Sequence, residues 1–468
     1  MFTNRYAIAL LTILTAALPA VAADQNLIIV SIGDSLAAGE GNPNSFNPVT
    51  GLATWLEPPC HRSTNNGRRI ASNRINSMTG FSTSFFDFSC SGAKIDEGIL
   101  GTQLTSQPNI VNKTEDPQID QVEFLQTHQL NNQPIDILMI SIGVNDVNFA
   151  SVVTACLTPG DCTHNSAVTT ATNTIASTTF ANAYGRLVSA IRQRLNVKHV
   201  YITGYPDEVK RDPSTFCGDL DTGDLSMSAI SQAESSFMLS HVITPLNNVI
   251  ANAVTAANAP FFSLITNPPK SRPVWHFLRA MESNFATHGF CTALDRRYMN
   301  TLQDSLLRQG DQNGTMHPNL NGHRAYADAL VAQATVDFDL PLQTPKVVRR
   351  VEANVGIDAA SPVLNVLEKK LITVEIAQNP GALTVTLQHR VVTHGLFGDS
   401  NGDIHSTAMA DTASGALNLF AAQIPGSDNI LPGLQTLQYR IVATATRNGQ
   451  TATTTTDFFS IDALLEQQ

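Results

Sequence analysis

The chain has 468 residues, a length that suggests two or three domains. Its 43% hydrophobic and 14% charged residues fit a soluble globular protein that can bury a proper core. The formal net charge is −11 and the sequence has no basic run, so nucleic acid is excluded as an expected partner.

The N-terminus has the pattern of a secretory signal peptide. Arg5 is followed by an apolar run over 6–17 and by an Ala-Val-Ala cleavage site that ends at Ala22. A membrane anchor is the alternative, but the run is too short to span a bilayer comfortably. We expect a signal peptide over 1–23 and a secreted or periplasmic protein.

The six cysteines favour disulfide bonds over a metal site. Cysteines of an exported chain are mostly oxidised, although six of them allow fifteen pairings. Cys156 and Cys162 enclose a turn-rich loop that a local disulfide would pin. The cysteines have no Cys-x-x-Cys pair and no histidine partner at ligand spacing, so no metal and no other cofactor is predicted.

The first 340 residues alternate predicted strands and helices. Apolar runs typical of buried parallel strands lie at 26–32, 84–89, 135–142, 199–205 and 260–264. Helical patterns lie at 119–128, 167–196, 227–257 and 321–338. This alternation predicts a three-layer α/β/α domain with a parallel sheet over 24–340.

The character of the sequence changes after about residue 340. Prolines and polar residues over 340–345 are typical of a linker. The rest of the chain is rich in Val, Thr and Ile with period-two alternation, and strands are predicted at 371–376, 382–387, 437–446 and 451–458. The last two are joined by the hairpin pair Asn448-Gly449. We therefore predict an all-β sandwich, immunoglobulin-like, over 346–468.

Four turns at the ends of these elements carry candidate catalytic residues. Ser35 follows the first strand in a Gly-Asp-Ser-Leu turn, Gly92 and Asn145 follow the second and third strands, and His317 precedes the last helix. Ligands of open parallel sheets bind outside the carboxyl ends of the strands, which is where three of these turns fall.

These residue types suit hydrolysis through a serine nucleophile. The hydroxyl of Ser35 needs a base to take its proton, and a histidine such as His317, with an ordinary pKa of about 6.5, suits that task and the later protonation of the leaving group. The backbone N–H groups of Gly92 and Ser35 and the side-chain amide of Asn145 are expected to hold the oxyanion. The order of these residues predicts a serine hydrolase.

Each turn also has an ordinary structural interpretation. A Gly-Asp-Ser turn, a turn glycine and an Asx turn all occur without catalysis. His323, inside the last helical pattern, competes with His317 for the role of the base. A second Gly-Asp-Ser, ending at Ser400, lies in the β-rich tail with no helix after it, so a solvated loop is the better interpretation there.

The four turns together resemble the sequence blocks of the SGNH/GDSL hydrolase family. The resemblance covers roughly 25–340, and Gly-Glu-Gly-Asn at 39–42, Cys-His-Arg-Ser at 60–63 and Cys-Ser-Gly-Ala at 90–93 are similar to the secreted bacterial esterase and lipase branch. It implies a flavodoxin-like α/β/α fold, the four roles given above and a Cys60–Cys90 disulfide. With Cys156–Cys162 as the local pair, Cys217–Cys291 is left as the third.

The sequence departs from the family at the acid that orients the histidine. The family usually carries Asp three residues before the histidine, and here that position is Gly314. Asp311 lies six residues before His317 and could curl back to it. A backbone carbonyl, for instance that of Gly314, could accept the ring N–H instead, as in some relatives of the secreted branch, or the orienting group could come from elsewhere.

The expected function is a secreted carboxylic-ester hydrolase, an esterase or lipase, that works through an acyl-enzyme. Its expected partner is an ester substrate, either a lipid or a small acyl ester. One alternative is a polysaccharide O-deacetylase whose β-sandwich binds carbohydrate or a cell surface. Another is a secreted binding protein with a dead hydrolase fold, against which the retained candidate residues argue.

Overall fold

A computed structural model describes residues 25–461 except 109, 213, 219–229, 261–268, 295, 355–369, 378, 380, 396–397, 413–418 and 425–434. The expected signal peptide over 1–23 lies outside the described residues, and so does 261–264 of the strand expected at 260–264. None of the helices within the described ranges has both the length and the apolar character needed to cross a bilayer.

The first part of the chain alternates strands and helices, as expected. Its strands are β1 (Gln25–Gly33), β2 (Ser45–Asn47), β3 (Leu52–Thr54), β4 (Phe81–Asp87), β5 (Gln103–Leu104), β6 (Thr114–Glu115), β7 (Ile135–Ser141), β8 (Val197–Thr203), β9 (Lys210–Asp212), β10 (Thr215–Phe216) and β11 (Val274–Leu278). Its helices are α1 (Ser35–Ala38), α2 (Gly67–Asn76), α3 (Gln118–Phe124), α4 (Phe149–Leu157), α5 (Ser166–Ala176), α6 (Thr178–Arg194), α7 (Gln232–Met238), α8 (Thr244–Asn258), α9 (Ala280–Phe285), α10 (Leu302–Gln309) and α11 (Leu320–Phe338). A 3₁₀ turn at Pro58–Cys60 and π-helical turns at Leu125–Gln129 and Leu239–Ile243 complete the helical segments.

Five strands form one parallel sheet in the order β11-β8-β7-β1-β4. Along β1, side chains alternate between two helical layers, because successive residues of a strand point to opposite faces. Ile28, Val30 and Ile32 share a core with α3, α6 and α8. Leu27 and Ile29 share a second core with α2 and α11. The predicted three-layer α/β/α architecture is confirmed.

The elements differ from the prediction in several places, and helices α2, α4, α9 and α10 were not predicted. The fifth strand of the sheet is β11, which the sequence analysis did not predict. The helix expected over 167–196 is split into α5 and α6 at Ser177, whose side chain accepts a hydrogen bond from Phe180 N and caps α6. The helix expected over 227–257 contains a π-helical turn just before Pro245, which has no N–H to give to a helical hydrogen bond.

The tail is all-β and antiparallel. Its described strands are β12 (Val347–Asn354), β13 (Lys370–Ile376), β14 (Ala382–Gly395), β15 (Gly398–Asn401), β16 (His405–Ala408), β17 (Ala410–Asp411), β18 (Leu419–Ile424), β19 (Gln435–Arg447), β20 (Gln450–Thr455) and β21 (Phe459–Ile461). One sheet has the order β12-β13-β18-β17, and the other is built on β15-β14-β19-β20 with β16 and β21 beside it.

The two tail sheets share one core, as the strands of a sandwich do. Ile372 and Val374 of the first sheet pack with Leu387 and Ile441 of the second. Asn448 and Gly449 both have positive φ, 48° and 79°, and join β19 to β20 in the predicted hairpin. The predicted fold class, an α/β/α domain followed by an all-β unit, is confirmed.

We propose 24–340 and 346–468 as the boundaries of the two domains, since 341–346 form no helix or strand. The two parts touch through a few polar contacts. Thr287 Oγ1 donates a hydrogen bond to Glu375 Oε2 at 2.7 Å, and Arg447 donates to the carbonyl oxygen of Thr335 at 2.9 Å.

Three disulfides join Cys60 to Cys90, Cys156 to Cys162 and Cys217 to Cys291. The expectation of disulfides is confirmed, and the pairs agree with those given above. All three lie in the α/β part. The Cys60–Cys90 bridge ties the start of the Gly92 turn to the loop before α2.

Candidate active site

Ser35 lies at the carboxyl end of β1, where the chain turns directly into α1. Asp34 caps this short helix by accepting a hydrogen bond from Leu36 N at 3.1 Å. Gly33 has φ +139°, and a Cβ there would lie 2.2 Å from the carbonyl oxygen of Ser141 in β7. A glycine is therefore required at this position for β1 and β7 to approach each other. After Gly33 the chain leaves the sheet, and Ser35 is the first residue of α1.

His317 lies beside Ser35. Its Nε2 is 2.8 Å from Ser35 Oγ, within hydrogen-bond distance, although the two residues are 282 positions apart. The preceding Met316 has φ +57°, a left-handed conformation that is rare for a side chain of its size. The backbone of this turn is held by Asn300, whose carbonyl accepts from Met316 N and whose N–H donates to the His317 carbonyl.

The other ring nitrogen of His317 faces a carbonyl and not a carboxylate. Nδ1 lies 3.2 Å from the carbonyl oxygen of Thr315. The Gly314 carbonyl, suggested from the sequence, instead accepts from the backbone N–H of His317 itself. The carbonyl alternative is thus the one that the structure forms, with Thr315 in place of Gly314.

Asp311 is not brought to the imidazole, which corrects the alternative that made it the acid. Its Oδ1 accepts hydrogen bonds from Gln309 Nε2 at 2.6 Å and from Asn313 N at 2.8 Å. The second bond closes a local Asx turn, which holds the carboxylate against its own loop.

Gly92 and Asn145 line the same cleft as Ser35 and His317. Gly92 has φ +86° and follows β4, and Asn145 follows β7. Asn145 Nδ2 donates to the carbonyl of Ala93 at 3.0 Å, which ties its side chain to the Gly92 turn. The structure therefore brings together Ser35, Gly92, Asn145 and His317, the four residues of the predicted turns, but not Asp311.

Tyr205 links the Ser35 turn to the Asn145 turn, and the sequence analysis missed it. Its hydroxyl donates to Asp34 Oδ2 at 2.6 Å and accepts from Val144 N at 2.9 Å. Burial raises the pKa of Asp34, and this hydrogen bond with the nearby Arg68 charge opposes the rise. Tyr205 was the last residue of the fourth predicted strand, 199–205, and that place at the end of a strand was the available clue.

Gln118 holds the backbone on which Ser35 stands. Its Oε1 accepts from Gly33 N at 2.7 Å, and its Nε2 donates to the Gly33 carbonyl at 2.9 Å. The side chain is buried at the start of α3. Nothing in the local sequence distinguishes this glutamine from others in the chain.

A buried carboxylate, that of Glu40, contacts the Gly92 turn through Ser91. It lies 2.8 Å from His61 Nδ1 and accepts from Ser91 Oγ at 2.6 Å and Gln309 Nε2 at 2.9 Å. Burial by itself raises the pKa of Glu40, but the hydrogen bond and charge of His61 outweigh it, so the pKa lies below its usual value. Glu40 is therefore ionised and fixes Ser91, the neighbour of Gly92.

His323, the competing base, is fully buried in α11. Its Nδ1 accepts a hydrogen bond from Gly67 N at 3.2 Å. Burial, followed by the nearby charge of Arg68, lowers its pKa to about 3, so the ring is neutral near pH 7. His323 is a packing residue between α11 and α2, and it does not face Ser35.

Asp146, next to Asn145, has an unusual pKa. Its carboxyl oxygens accept from Ile95 N at 3.2 and 3.3 Å. Burial, only partly offset by this backbone hydrogen bond, raises the pKa of Asp146 to about 7. The carboxyl therefore changes charge near neutral pH while holding the Asn145 turn to the segment after Gly92.

The cleft above Ser35 has a volume of about 580 Å³ and one apolar side. Apolar side chains line this side from the turn after β7, from α4 and from the segment that ends in α8: Val144, Phe149, Val153, Leu157, Val242, Ile243 and Leu246. Glu208 also lines it, and burial followed by the Asp207 charge raises its pKa well above the usual value. The raised pKa favours the uncharged form of this carboxyl beside the apolar side chains.

The second Gly-Asp-Ser has none of these features. Ser400 is exposed on β15, which pairs antiparallel with β14. His394 Nδ1 lies near Asp399, not near Ser400. A strand hairpin takes the place of the strand-turn-helix that a nucleophile turn needs.

Comparison with known proteins gives one family and several structures. The family model described as GDSL-like Lipase/Acylhydrolase matches residues 29–330. A comparison with curated protein sequences found no match.

Among solved structures, an extracellular lipase from Streptomyces rimosus is 19% identical, with 65% of this chain and 98% of that chain covered and a TM-score of 0.41. Phospholipase A1 from Streptomyces albidoflavus NA297 is 16% identical, with 66% and 98% covered and a TM-score of 0.41. An acetylxylan esterase from Geobacillus stearothermophilus is 11% identical, with 66% and 94% covered and a TM-score of 0.28. Sequence identities and TM-scores this low assign no substrate to this chain. The family model, however, matches more than half of the chain. The chain belongs to the GDSL-like lipase/acylhydrolase family, a family of ester hydrolases.

Proposed function

We propose that this protein hydrolyses carboxylic esters through an acyl-enzyme on Ser35. The observation that carries the proposal is the 2.8 Å separation of Ser35 Oγ and His317 Nε2 at the floor of a cleft with one apolar side. A hydroxyl becomes an effective nucleophile when a neighbouring base can accept its proton, and this pair meets that requirement.

In the first half of the reaction, Ser35 Oγ attacks the ester carbonyl carbon and its proton passes to His317 Nε2. The oxyanion is held by the N–H groups of Gly92 and Ser35 and by Asn145 Nδ2. Each such donor contributes on the order of 3 kcal/mol to the transition state. His317 then protonates the departing alcohol, and the acyl group stays on Ser35.

In the second half, His317 takes a proton from the water that attacks the acyl carbon. It returns this proton to Ser35 Oγ as the ester bond to Ser35 breaks and the acid is released. The Thr315 carbonyl accepts the Nδ1 proton throughout and keeps Nε2 directed at Ser35. A neutral carbonyl orients the ring but stabilises the imidazolium less than a carboxylate does.

The cleft favours an acyl chain longer than acetyl. An acetyl group would leave the apolar side chains of α4 and the α8 segment exposed to water, whereas a longer chain buries them at about 25 cal/mol per Å². We therefore propose esterase or lipase activity as the primary function.

The polysaccharide alternative receives no support from the described aromatic residues of the tail. Phe420 and Tyr439 are buried, and Phe458 is half-buried with the guanidinium groups of Arg390 and Arg440 at 4.0 and 4.7 Å from its ring centroid. Phe397 lies outside the described residues. An open aromatic platform for sugar rings is thus missing from the described surface of the tail.

We also propose that the protein is exported. The N-terminal pattern at 1–23 and the three disulfides support this, since disulfides persist in oxidising compartments.

The activity is tested with p-nitrophenyl esters from C2 to C16 and three proteins. The wild type is expected to prefer medium or long chains. Ser35→Ala is expected to lose at least a thousandfold in kcat/KM while its circular dichroism spectrum is unchanged. Ser400→Ala, in the other Gly-Asp-Ser, is the matched control and should keep full activity. Wild-type rates in the Ser35→Ala protein would rule out the proposal.

A further inference from the structure

A cluster of two histidines and an aspartate lies away from the cleft. His199 is on β8, His276 is on the neighbouring β11, and Asp337 is near the end of α11. The side chains are 19%, 19% and 10% exposed, so solvent reaches all three. Within the described residues this is the group whose histidine and carboxylate atoms are close enough together to share one metal ion.

The three facing atoms form a nearly equilateral triangle. His199 Nδ1 is 3.3 Å from His276 Nε2, His199 Nδ1 is 3.4 Å from Asp337 Oδ2, and His276 Nε2 is 3.2 Å from the same oxygen. Zinc binds histidine nitrogen and carboxylate oxygen at about 2.0–2.2 Å in a tetrahedron. Two ligands on such a tetrahedron are therefore about 3.3–3.6 Å apart. The triangle has close to the dimensions of three zinc ligands with the fourth position open.

Hydrogen bonds satisfy this arrangement only where one of the two facing imidazole nitrogens acts as an acceptor, which leaves just one N–H for the three contacts. Asp337 Oδ2 already accepts from the Tyr201 hydroxyl at 2.6 Å and from Gln333 Nε2 at 3.2 Å. If both imidazoles also directed N–H groups at that oxygen, their two hydrogens would meet across the 3.3 Å gap. A cation at the centre instead receives a lone pair from each of the three atoms, while Tyr201 and Gln333 orient the carboxylate.

The cluster is remote from the catalytic residues. His199 pairs with Ile137 on β7, which pairs with Ile29 on β1, six residues before Ser35. At about 3.3 Å per residue, the backbone of His199 lies roughly 20 Å from Ser35 along the strand direction. The backbone of His276, which is level with Ser31, lies roughly 13 Å away. A metal here would join the edge strand β11 and its neighbour β8 to the end of α11 without touching the substrate.

We propose that His199, His276 and Asp337 form a structural zinc site with water as the fourth ligand. Two imidazoles and one carboxylate in tetrahedral spacing favour zinc over calcium or magnesium, which prefer six or more oxygen ligands. The site would stabilise the folded chain in proportion to its occupancy, because an unfolded chain does not hold the three groups together.

The test is a calorimetric titration of the full-length protein, dialysed against EDTA and then buffer, with zinc chloride. About one Zn²⁺ is expected to bind per chain, with micromolar or tighter affinity, and magnesium and calcium chloride should give no binding. His276→Ala and Asp337→Asn should each weaken zinc binding at least tenfold. His128→Ala, which removes an exposed helix histidine elsewhere, is the control and should bind as the wild type does.

Two further measurements test the zinc site independently of calorimetry. The wild type with Co²⁺ should develop the visible absorption of a tetrahedral site, and Asp337→Asn should not. Zinc should raise the Tm of the wild type by several degrees without changing its rate of ester hydrolysis. Absence of stoichiometric zinc binding to the wild type, or equal binding to the folded His276→Ala and Asp337→Asn proteins, would overturn the proposal.

Discussion

The contact between His317 and the Thr315 carbonyl is the residue-level feature that departs most from the family pattern. A carboxylate at this position would both orient the ring and balance its charge, whereas a carbonyl mainly orients it. Since Asp311 is held by Gln309 and Asn313, we propose that it takes part in neither task.

This leads to a prediction for Asp311→Asn. The variant should lose only a few-fold in kcat/KM, because the asparagine side chain can still accept the Asx-turn hydrogen bond from Asn313 N. Steady-state kinetics on a soluble ester measure it. A loss of several orders of magnitude in a folded protein would mean that Asp311 reaches the imidazole during the reaction.

Asp146 makes stability depend on pH near neutrality. Its folded pKa of about 7 is above the ordinary 3.8, so the folded chain holds a proton that the unfolded chain has released. The contribution of protonated Asp146 to the free energy of unfolding is complete below about pH 4. It falls as the pH rises and is lost above about 7.

We therefore expect the Tm of the wild type to fall more steeply between pH 4.5 and 8 than that of Asp146→Asn. The amide can still accept from Ile95 N, but it carries no charge at any of these pH values. Parallel thermal melts of the two proteins measure the difference. Identical slopes would show that Asp146 is charged throughout this range.

At the scale of residues, the sequence predicts the candidate catalytic residues but not the residues that hold them in position. Ser35, Gly92, Asn145 and His317 were accessible because each belongs to a short turn with its own pattern. Tyr205, Gln118 and Glu40 were not assigned roles because their contacts join residues far apart in the sequence. The same holds for His199, His276 and Asp337, which come from three separate elements. Thr315 is only two residues from His317, but the carbonyl that faces the ring depends on the backbone conformation of the turn.

At the scale of elements, the turns that follow the strands position the candidate catalytic residues, and the lengths of the strands matter less. Ser35 and Asn145 follow the carboxyl ends of the adjacent strands β1 and β7, and the Cys60–Cys90 bridge fixes the Gly92 turn beside them. The sequence analysis found four of the five central strands by their apolar runs. It missed β11, whose five residues include His276 and Trp275 and so lack a continuous aliphatic run.

The disulfides should differ in their effect on stability according to the loops they close. Cys217 and Cys291 are separated by 74 positions, and Cys156 and Cys162 by six. The chain-entropy relation gives about 4 kcal/mol for the long loop and about 2 kcal/mol for the short one.

Replacing both cysteines of the long pair by alanine should therefore lower the Tm more than the same change in the short pair. Thermal melts of the two double variants, compared with the wild type, test this. The opposite order would mean that local strain or residual structure in the unfolded chain outweighs loop entropy.

At the scale of the whole molecule, every residue placed near the cleft belongs to the α/β part. The all-β tail contacts that part through Glu375 and Arg447, far in sequence from the four catalytic candidates. Composition and periodicity were enough to predict both units and the change near residue 340, because strand alternation differs so clearly from the α/β pattern. They could not predict how the units touch.

Deleting residues 346–468 should accordingly leave hydrolysis of soluble p-nitrophenyl esters measurable, within about tenfold of the full chain. The truncated protein loses the partner of Thr287, so its Tm should be lower. Complete inactivity of a truncated protein with native circular dichroism would show that the tail contributes to the active site.

The central claim is that one serine carries the acyl group, and covalent trapping tests it most directly. The full-length protein is treated with a p-nitrophenyl alkylphosphonate, digested and mapped by mass spectrometry. We predict one adduct per chain, on the peptide that contains Ser35, and no adduct in Ser35→Ala or His317→Ala. An active protein whose adduct maps to another residue, or that is labelled equally in Ser35→Ala, would contradict the account.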